Sequence, residues 1–240
     1  MPDSGEYAVQ NLTTIGFDAD DTLWHNARFF RITQERFADL LRDYTSPDHL
    51  MERLLAAERR NLGKYGFGIK GFVLSMIETA IEVTQERVPA RVIAELIAAG
   101  QDMLSHPVEL LPEVRETLEA VGQSHKILLI TKGALLDQER KLAQSGLGDM
   151  FDAVEIVSDK TSDSYAGIFA RHGDGIGRAM MVGDSMRSDV VPVVTAGGWG
   201  IHVPHGPVWD IEWASPPTTA PRFHALADLG ALPDLVRRIG

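Results

Sequence analysis

Three carboxylates and a hydroxyl crowd into five positions early in the chain: Asp18, Asp20, Asp21 and Thr22, directly behind the apolar run Ile15-Gly16-Phe17. Side chains alternate faces along an extended backbone, so Asp18 and Asp20 point the same way if the strand geometry persists past Phe17. Like charges held side by side repel, and the usual remedies are a bound cation or a retained proton. A metal-assisted acid–base site would use both. Asp21 falls on the opposite face and reads as structural, a turn or a cap.

The elements that must position these groups follow from periodicity. Residues 12–17 read as a first strand. Apolar spacing predicts helices over about 26–42, 47–61, 72–83 and 89–100, so that 24–106 is almost wholly helical. Between the second and third lies the window 62–71, whose four glycines mark a loop with unusual backbone needs. Beyond it, helices over 111–122, 135–144, 165–172 and 188–196 alternate with strands over 126–131, 153–157, 179–183 and 199–203. Residues 204–222, rich in Pro and Trp, look irregular, and 225–239 ends the chain as helix. Strand–helix alternation with short connections means an α/β fold with a doubly wound parallel sheet.

In such a sheet the ligand sits beyond the carboxyl ends of the strands. The first strand offers Asp18, Asp20 and Thr22 there, and the second offers Thr131, Lys132 and Gly133. Lys160 lies just past the third. The fourth offers Gly183, Asp184 and Ser185, with Asp189 one turn on. Carboxylates and carbonyls suit Mg2+, which lets an anionic nucleophile approach a phosphate. A lysine neutralises the remaining phosphate charge, while Thr131 and the amide after it can bond phosphate oxygens. The mixture points to phosphoryl transfer. Each signal alone is weak, since D-x-D often ends in a solvated turn and G-D-S can simply cap a helix. Turns alone do not explain four of them in order at four strand ends.

Composition bounds the alternatives. The 240 residues are 44% hydrophobic and 24% charged, as in an ordinary globular protein, and the absence of cysteine excludes disulfides and thiolate chemistry. A net charge of −11 argues against non-specific nucleic-acid binding. From Trp24 to His106 the 11 basic and 11 acidic residues balance, whereas the rest holds 12 basic and 23 acidic, so the middle segment differs electrostatically from what flanks it. Met1–Gln10 is polar, unlike a signal peptide, and no apolar run approaches the ~20 residues of a membrane span. The expectation is a cytoplasmic protein with no membrane partner.

The motifs together resemble those of the haloacid dehalogenase (HAD) superfamily. Asp18-Ala-Asp-Asp-Thr22 looks like its first motif, D-x-D-x-T. Thr131 matches the second-motif hydroxyl and Lys160 the third-motif lysine, and Gly183-Asp184 with Asp189 looks like the acidic fourth motif. The resemblance spans residues 12 to about 203. It implies a Rossmann-like core over 1–23 and 107–240 with a small α-helical cap inserted over 24–106. It also implies roles: Asp18 attacks phosphorus and Asp20 is the general acid and base, so Asp20 must hold a proton near neutral pH. Mg2+ is held by Asp18, the Asp20 backbone carbonyl and Asp184, supported by Asp189. Thr131, Lys132 and Lys160 bind phosphate. The dehalogenases of the family lack a second carboxylate at position 20 and need no metal, so Asp20 points to phosphate esters.

The expected activity is a Mg2+-dependent phosphatase acting on a small phosphorylated metabolite. The alternatives are a phosphomutase sharing the aspartyl-phosphate, and a non-enzymatic phospho-acceptor or binding module. Arg59, Arg60, Lys64, Tyr65 and Lys70, around the glycine-rich window, are the candidate substrate contacts from the cap, with His25 beside the catalytic loop. Such cations would suit a substrate with a second anionic group. His202 and His205 read as structural, and Trp209–Trp213 is assigned no chemistry.

Overall fold

The computed structural model describes residues 11–239; the polar Met1–Gln10 stretch lies outside them. Six parallel strands form one sheet in the order β3-β2-β1-β4-β5-β6, with β1 Thr14–Phe17, β2 Lys126–Lys132, β3 Ala153–Val157, β4 Ala179–Gly183, β5 Trp199–His202 and β6 Phe223–Ala225. The order reverses at β1, the first strand, which is flanked by β2 and β4. A crevice opens beyond the strand ends at such a point. The doubly wound parallel sheet is as expected, but it has a sixth strand within a stretch expected to be irregular loop and then helix.

Both faces of the sheet are covered, as alternation along buried parallel strands requires. Ile15, Phe17, Ile127, Leu129, Met180 and Val182 pack on one side with α5 (Val114–Gly122) and α8 (Leu232–Ile239). Leu128, Ile130 and Met181 face the other side and meet Tyr165, Ile168 and Phe169 of α7 (Ser162–His172).

Between β1 and α5 run four helices, α1 Ala27–Leu41, α2 Pro47–Tyr65, α3 Ile69–Val83 and α4 Ala90–Ser105. They gather around an apolar cluster of their own, with Phe37, Leu41, Leu54, Phe72, Met76 and Leu96 at its centre. The chain enters and leaves this insert through an antiparallel neck. His25 donates its amide to Glu109 O at 3.0 Å, and Leu111 donates to Leu23 O at 2.9 Å.

The 62–71 window departs from expectation. α2 continues through Gly63 to Tyr65 and α3 begins at Ile69, so the loop is only 66–68. Gly66, at φ 70°, stops α2 with its amide on Leu62 O, and Gly68 at φ 112° turns the chain into α3. Two left-handed glycines make the whole turn, which releases Lys70 and Gly71 into helix.

Candidate active site

The first carboxylate is fixed by an extension of the ladder: the Asp18 amide donates to Val182 O at 2.9 Å, so β1 stays in register one residue past Phe17. The chain then doubles back tightly. Leu23 donates to Ala19 O at 2.8 Å, and Asp21, at φ 61°, donates to Trp24 O at 2.7 Å. The Asp21 carboxylate accepts from the Asn26 and Ala27 amides at 2.8–3.0 Å. It caps the start of α1, as its position on the opposite face suggested.

Asp18, Asp184 and Asp189 form one cluster, with a ligand atom of each within 4.8 Å of the others. The Lys160 ammonium bridges Asp18 Oδ1 and, at 2.6 Å, Asp189 Oδ1. Asp189 lies in a wide π-type turn over Met186–Val190, its Oδ2 accepting from the Ser185 amide at 3.0 Å. Gly183 makes room for it, because a Cβ there would lie 2.2 Å from Asp189 Oδ2. Tyr165 closes the floor, donating to Ser188 O at 2.9 Å. Thr22 Oγ1 accepts the Asp184 amide at 3.1 Å, tying the first strand end to the fourth.

The charges do not balance. Burial pushes the Asp18 pKa up; Lys160 opposes this and Asp189 adds to it. Asp184 is raised well above the usual carboxylate range by burial and by its neighbours Asp18 and Asp189. Burial works against the Lys160 ammonium, but the two carboxylates outweigh it and raise its pKa. One lysine among three clustered carboxylates leaves excess negative charge, and a divalent cation with a preference for hard oxygen ligands fits that excess.

Asp20 sits apart from the cluster. Its carboxylate accepts from Trp24 Nε1 at 2.7 Å, from Lys141 Nζ at 2.9 and 3.0 Å and from Gln138 Nε2 at 3.3 Å. Every one of these partners donates to the carboxylate, and together they fix its orientation. Gln138 and Lys141 lie three apart on α6 (Leu135–Ser145) and so share a face. Gln138 also donates to Thr131 Oγ1 at 2.7 Å, which links the second strand end to the first.

A cavity of about 520 Å³ lies over these groups and is lined by Asp18, Asp20, Thr131, Lys132, Lys160, Asp184 and Asp189 on the sheet side. Phe30, Leu54, Glu58, Asn61, Phe67 and Phe72 of the insert line it from above. The Lys132 charge is turned aside: Nζ donates to Ser188 Oγ at 2.6 Å and Glu212 Oε1 at 2.7 Å, and lies 3.8 Å from the centre of the Phe67 ring. Burial opposes the Glu212 carboxylate, but Lys132 outweighs it and lowers its pKa.

The substrate contacts expected from the insert are not there. Arg59, Arg60, Lys64, Tyr65 and Lys70 are all exposed and absent from the cavity wall. The buried face of α2 carries Leu50, Leu54, Ala57, Glu58 and Asn61, and one or two further residues of rotation carry Arg59 and Arg60 outward. Tyr65 donates to Glu78 Oε1 at 3.2 Å instead. His25 pairs with His205 at 3.2 Å outside the cavity. His202 is structural as expected, its ring 2.9 Å from Asp184 O.

Sequence reasoning missed five wall residues: Glu58, Gln138, Lys141, Trp209 and Glu212. The last two lie in the stretch assigned no chemistry. Glu212 Oε2 accepts from Ser185 Oγ at 2.6 Å and also binds Ser188 Oγ, and Trp209 Nε1 reaches Glu58 Oε2 at 3.4 Å.

Comparison with known proteins gives this architecture a family. A model described as haloacid dehalogenase-like hydrolase matches residues 12–197. The crystal structure of a haloacid dehalogenase-like family hydrolase from Xanthomonas campestris is 40% identical. The match covers 96% of this chain and 92% of that one, with a TM-score of 0.85. A predicted phosphoglycolate phosphatase from Haemophilus somnus 129pt superposes with a TM-score of 0.63 at 16% identity, over 94% of this chain and 98% of the other. L-2-haloacid dehalogenase from Xanthobacter autotrophicus does so with a TM-score of 0.61 at 19% identity, over 95% and 100%. At these lower identities the likeness is one of fold. No curated protein sequence matches the chain.

Proposed function

This chain belongs to the haloacid dehalogenase-like hydrolase family, and on that footing we propose that it is a Mg2+-dependent phosphatase. It cleaves a small phosphate monoester through an aspartyl-phosphate on Asp18. The observation that carries this reading is the second carboxylate, Asp20, two residues after Asp18 in the wall of the same cavity. A hydrolase that displaces halide from carbon needs no proton donor for its leaving group, whereas an alkoxide leaving from phosphorus does.

Asp18, Asp184 and Asp189 would hold the cation, whose charge lets a carboxylate approach an anionic phosphate. Asp18 attacks phosphorus as the ester P–O bond breaks, and Asp20 gives its proton to the departing oxygen. Water then attacks the same phosphorus, Asp20 takes the water's proton, and the bond to Asp18 breaks to release phosphate. Lys141 and Trp24 hold Asp20 through both oxygens and so orient it toward the departing group. Lys160 keeps Asp18 oriented, and the Thr131 hydroxyl, presented by Gln138, faces the phosphate position. The helical insert acts as a cap that keeps water from the intermediate until the leaving group has gone.

The test is hydrolysis of p-nitrophenyl phosphate. Activity should require Mg2+, vanish with EDTA and be lost in Asp18→Asn while the fold is retained. Full metal-dependent activity in Asp18→Asn, or halide release from a 2-haloacid in place of phosphate release, would overturn it.

A further inference from the structure

The cavity wall facing the cluster is mostly carbon, built from Phe30, Leu54, Phe67 and Phe72 of the insert and Trp209 of the segment after β5. Of the ionisable residues on this side, Arg31 and Asp210 are exposed and Glu58 is buried. Glu58 is 8% exposed, and its one hydrogen bond among the described residues comes from Trp209 Nε1 at 3.4 Å to Oε2. Oε1 accepts nothing. A buried carboxylate is normally paired, because an unpaired charge out of water costs far more than a surface one.

The lysines that line the cavity are all engaged elsewhere. Lys160 bridges Asp18 and Asp189, Lys141 holds Asp20, and Lys132 is taken by Glu212. Arg31 is 62% exposed and 3.9 Å from Glu35. So no cation among the described residues pairs with Glu58 on the cap side of the cavity, the reverse of the cationic cap that the basic residues near the glycine window suggested. An anionic group on the substrate would meet repulsion there. A neutral one would leave Oε1 unmatched. A cationic nitrogen would complete a charge-assisted hydrogen bond and lie among aromatic rings whose faces attract cations.

We propose that Glu58 is a specificity-determining residue that selects phosphate monoesters whose leaving group is apolar and carries a cationic amine. This deepens the phosphatase reading and rests on it. The phosphate end is held by the cluster over the sheet, the apolar body fills the aromatic wall, and the ammonium meets Glu58 beside Trp209.

Three matched esters test it: phenyl phosphate, tyramine O-phosphate and 3-(4-phosphonooxyphenyl)propionate. The wild-type protein should favour the amine over the carboxylate by tenfold or more in kcat/KM, on the order of what one close charge pair contributes. The preference should reside in KM. Glu58→Gln should shrink that ratio to about threefold or less, a comparison internal to each protein and independent of its overall activity. Hydrolysis of all three esters without discrimination by the wild-type protein overturns the inference and leaves the phosphatase reading intact. If none is hydrolysed, the phosphatase reading fails. Calorimetric binding of tyramine against 3-(4-hydroxyphenyl)propionate then decides the role of Glu58: tighter binding of the amine supports it, and equal binding refutes it.

Discussion

Glu58 has a consequence for stability that can be measured without any substrate. Burial in the cavity wall raises its pKa from the ordinary 4.5 to about 7, and the hydrogen bond from Trp209 offsets only part of this. Below about pH 4.5 the carboxyl is protonated in both folded and unfolded chains and contributes no difference. Between about 4.5 and 7 the unfolded chain gives up its proton while the folded chain keeps it. The native state then binds more protons, and stability falls as pH rises, by up to about 1.4 kcal/mol per unit. Above 7 the penalty is constant. Two and a half units correspond to about 3 kcal/mol, and the group is buried enough that solvent screening removes little of it. Glu58→Gln keeps the shape and an acceptor for Trp209 but cannot ionise. Urea unfolding in the presence of EDTA should therefore find the variant within about 1 kcal/mol of wild type at pH 4.5, and more stable by about 2–3 kcal/mol at pH 8. The cluster carboxylates are common to both proteins and cancel in the difference. A variant no more stable at pH 8 than at pH 4.5, relative to wild type, would show that Glu58 is solvated or paired and would refute the reasoning.

Two further outcomes follow from the core. Lys141→Met removes the ammonium from both oxygens of Asp20, so kcat should fall at least tenfold with KM little changed, since general acid–base catalysis contributes roughly 10²–10⁴-fold and depends on orientation; an unaltered kcat and pH–rate profile would remove Lys141 from the mechanism. Gly183→Ala sets a Cβ against Asp189 Oδ2 at 2.2 Å, which should displace Asp189, lower turnover by about 100-fold and destabilise the fold by about 1–3 kcal/mol; near-wild-type kinetics with an unchanged melting temperature would mean the Gly183–Asp189 packing is not needed.

The core of the site was legible because backbone geometry makes strand ends predictable. Once β1, β2 and β4 are placed as adjacent parallel strands, Asp18, Thr131 and Asp184 must converge whatever their neighbours do. Asp21 was legible for the same reason, since alternation alone sends it to the other face and leaves it to cap α1. Gln138 and Lys141 were not, because two polar residues three apart on an amphipathic helix look the same whether they face solvent or a carboxylate. The strand β6 escaped notice because Phe223–Ala225 is three residues long, too short for alternation to register against the turns around it.

The cap side failed for a different reason, and the failure is instructive about Glu58. Chemical type alone makes the cationic residues near the glycine window look like partners for an acidic core. Helical phase tells against that choice: Leu50, Leu54 and Asn61 define the inward face of α2, and Glu58 falls on it while Arg59 and Arg60 do not. Burial of a charged residue is exceptional, so type outweighed phase at the one position where phase was right. The group that faces Glu58 lies some 150 residues away, on a stretch without periodicity. Trp209 touches the insert and Glu212, one turn later, binds Lys132, Ser185 and Ser188 of the core. One loop thus ties the wall that selects a leaving group to the strand ends that act on the phosphate. The segment that touches Glu58 through Trp209 thus also anchors Ser185 and Ser188 beside Asp184 and Asp189, through the hydrogen bonds of Glu212 three residues on.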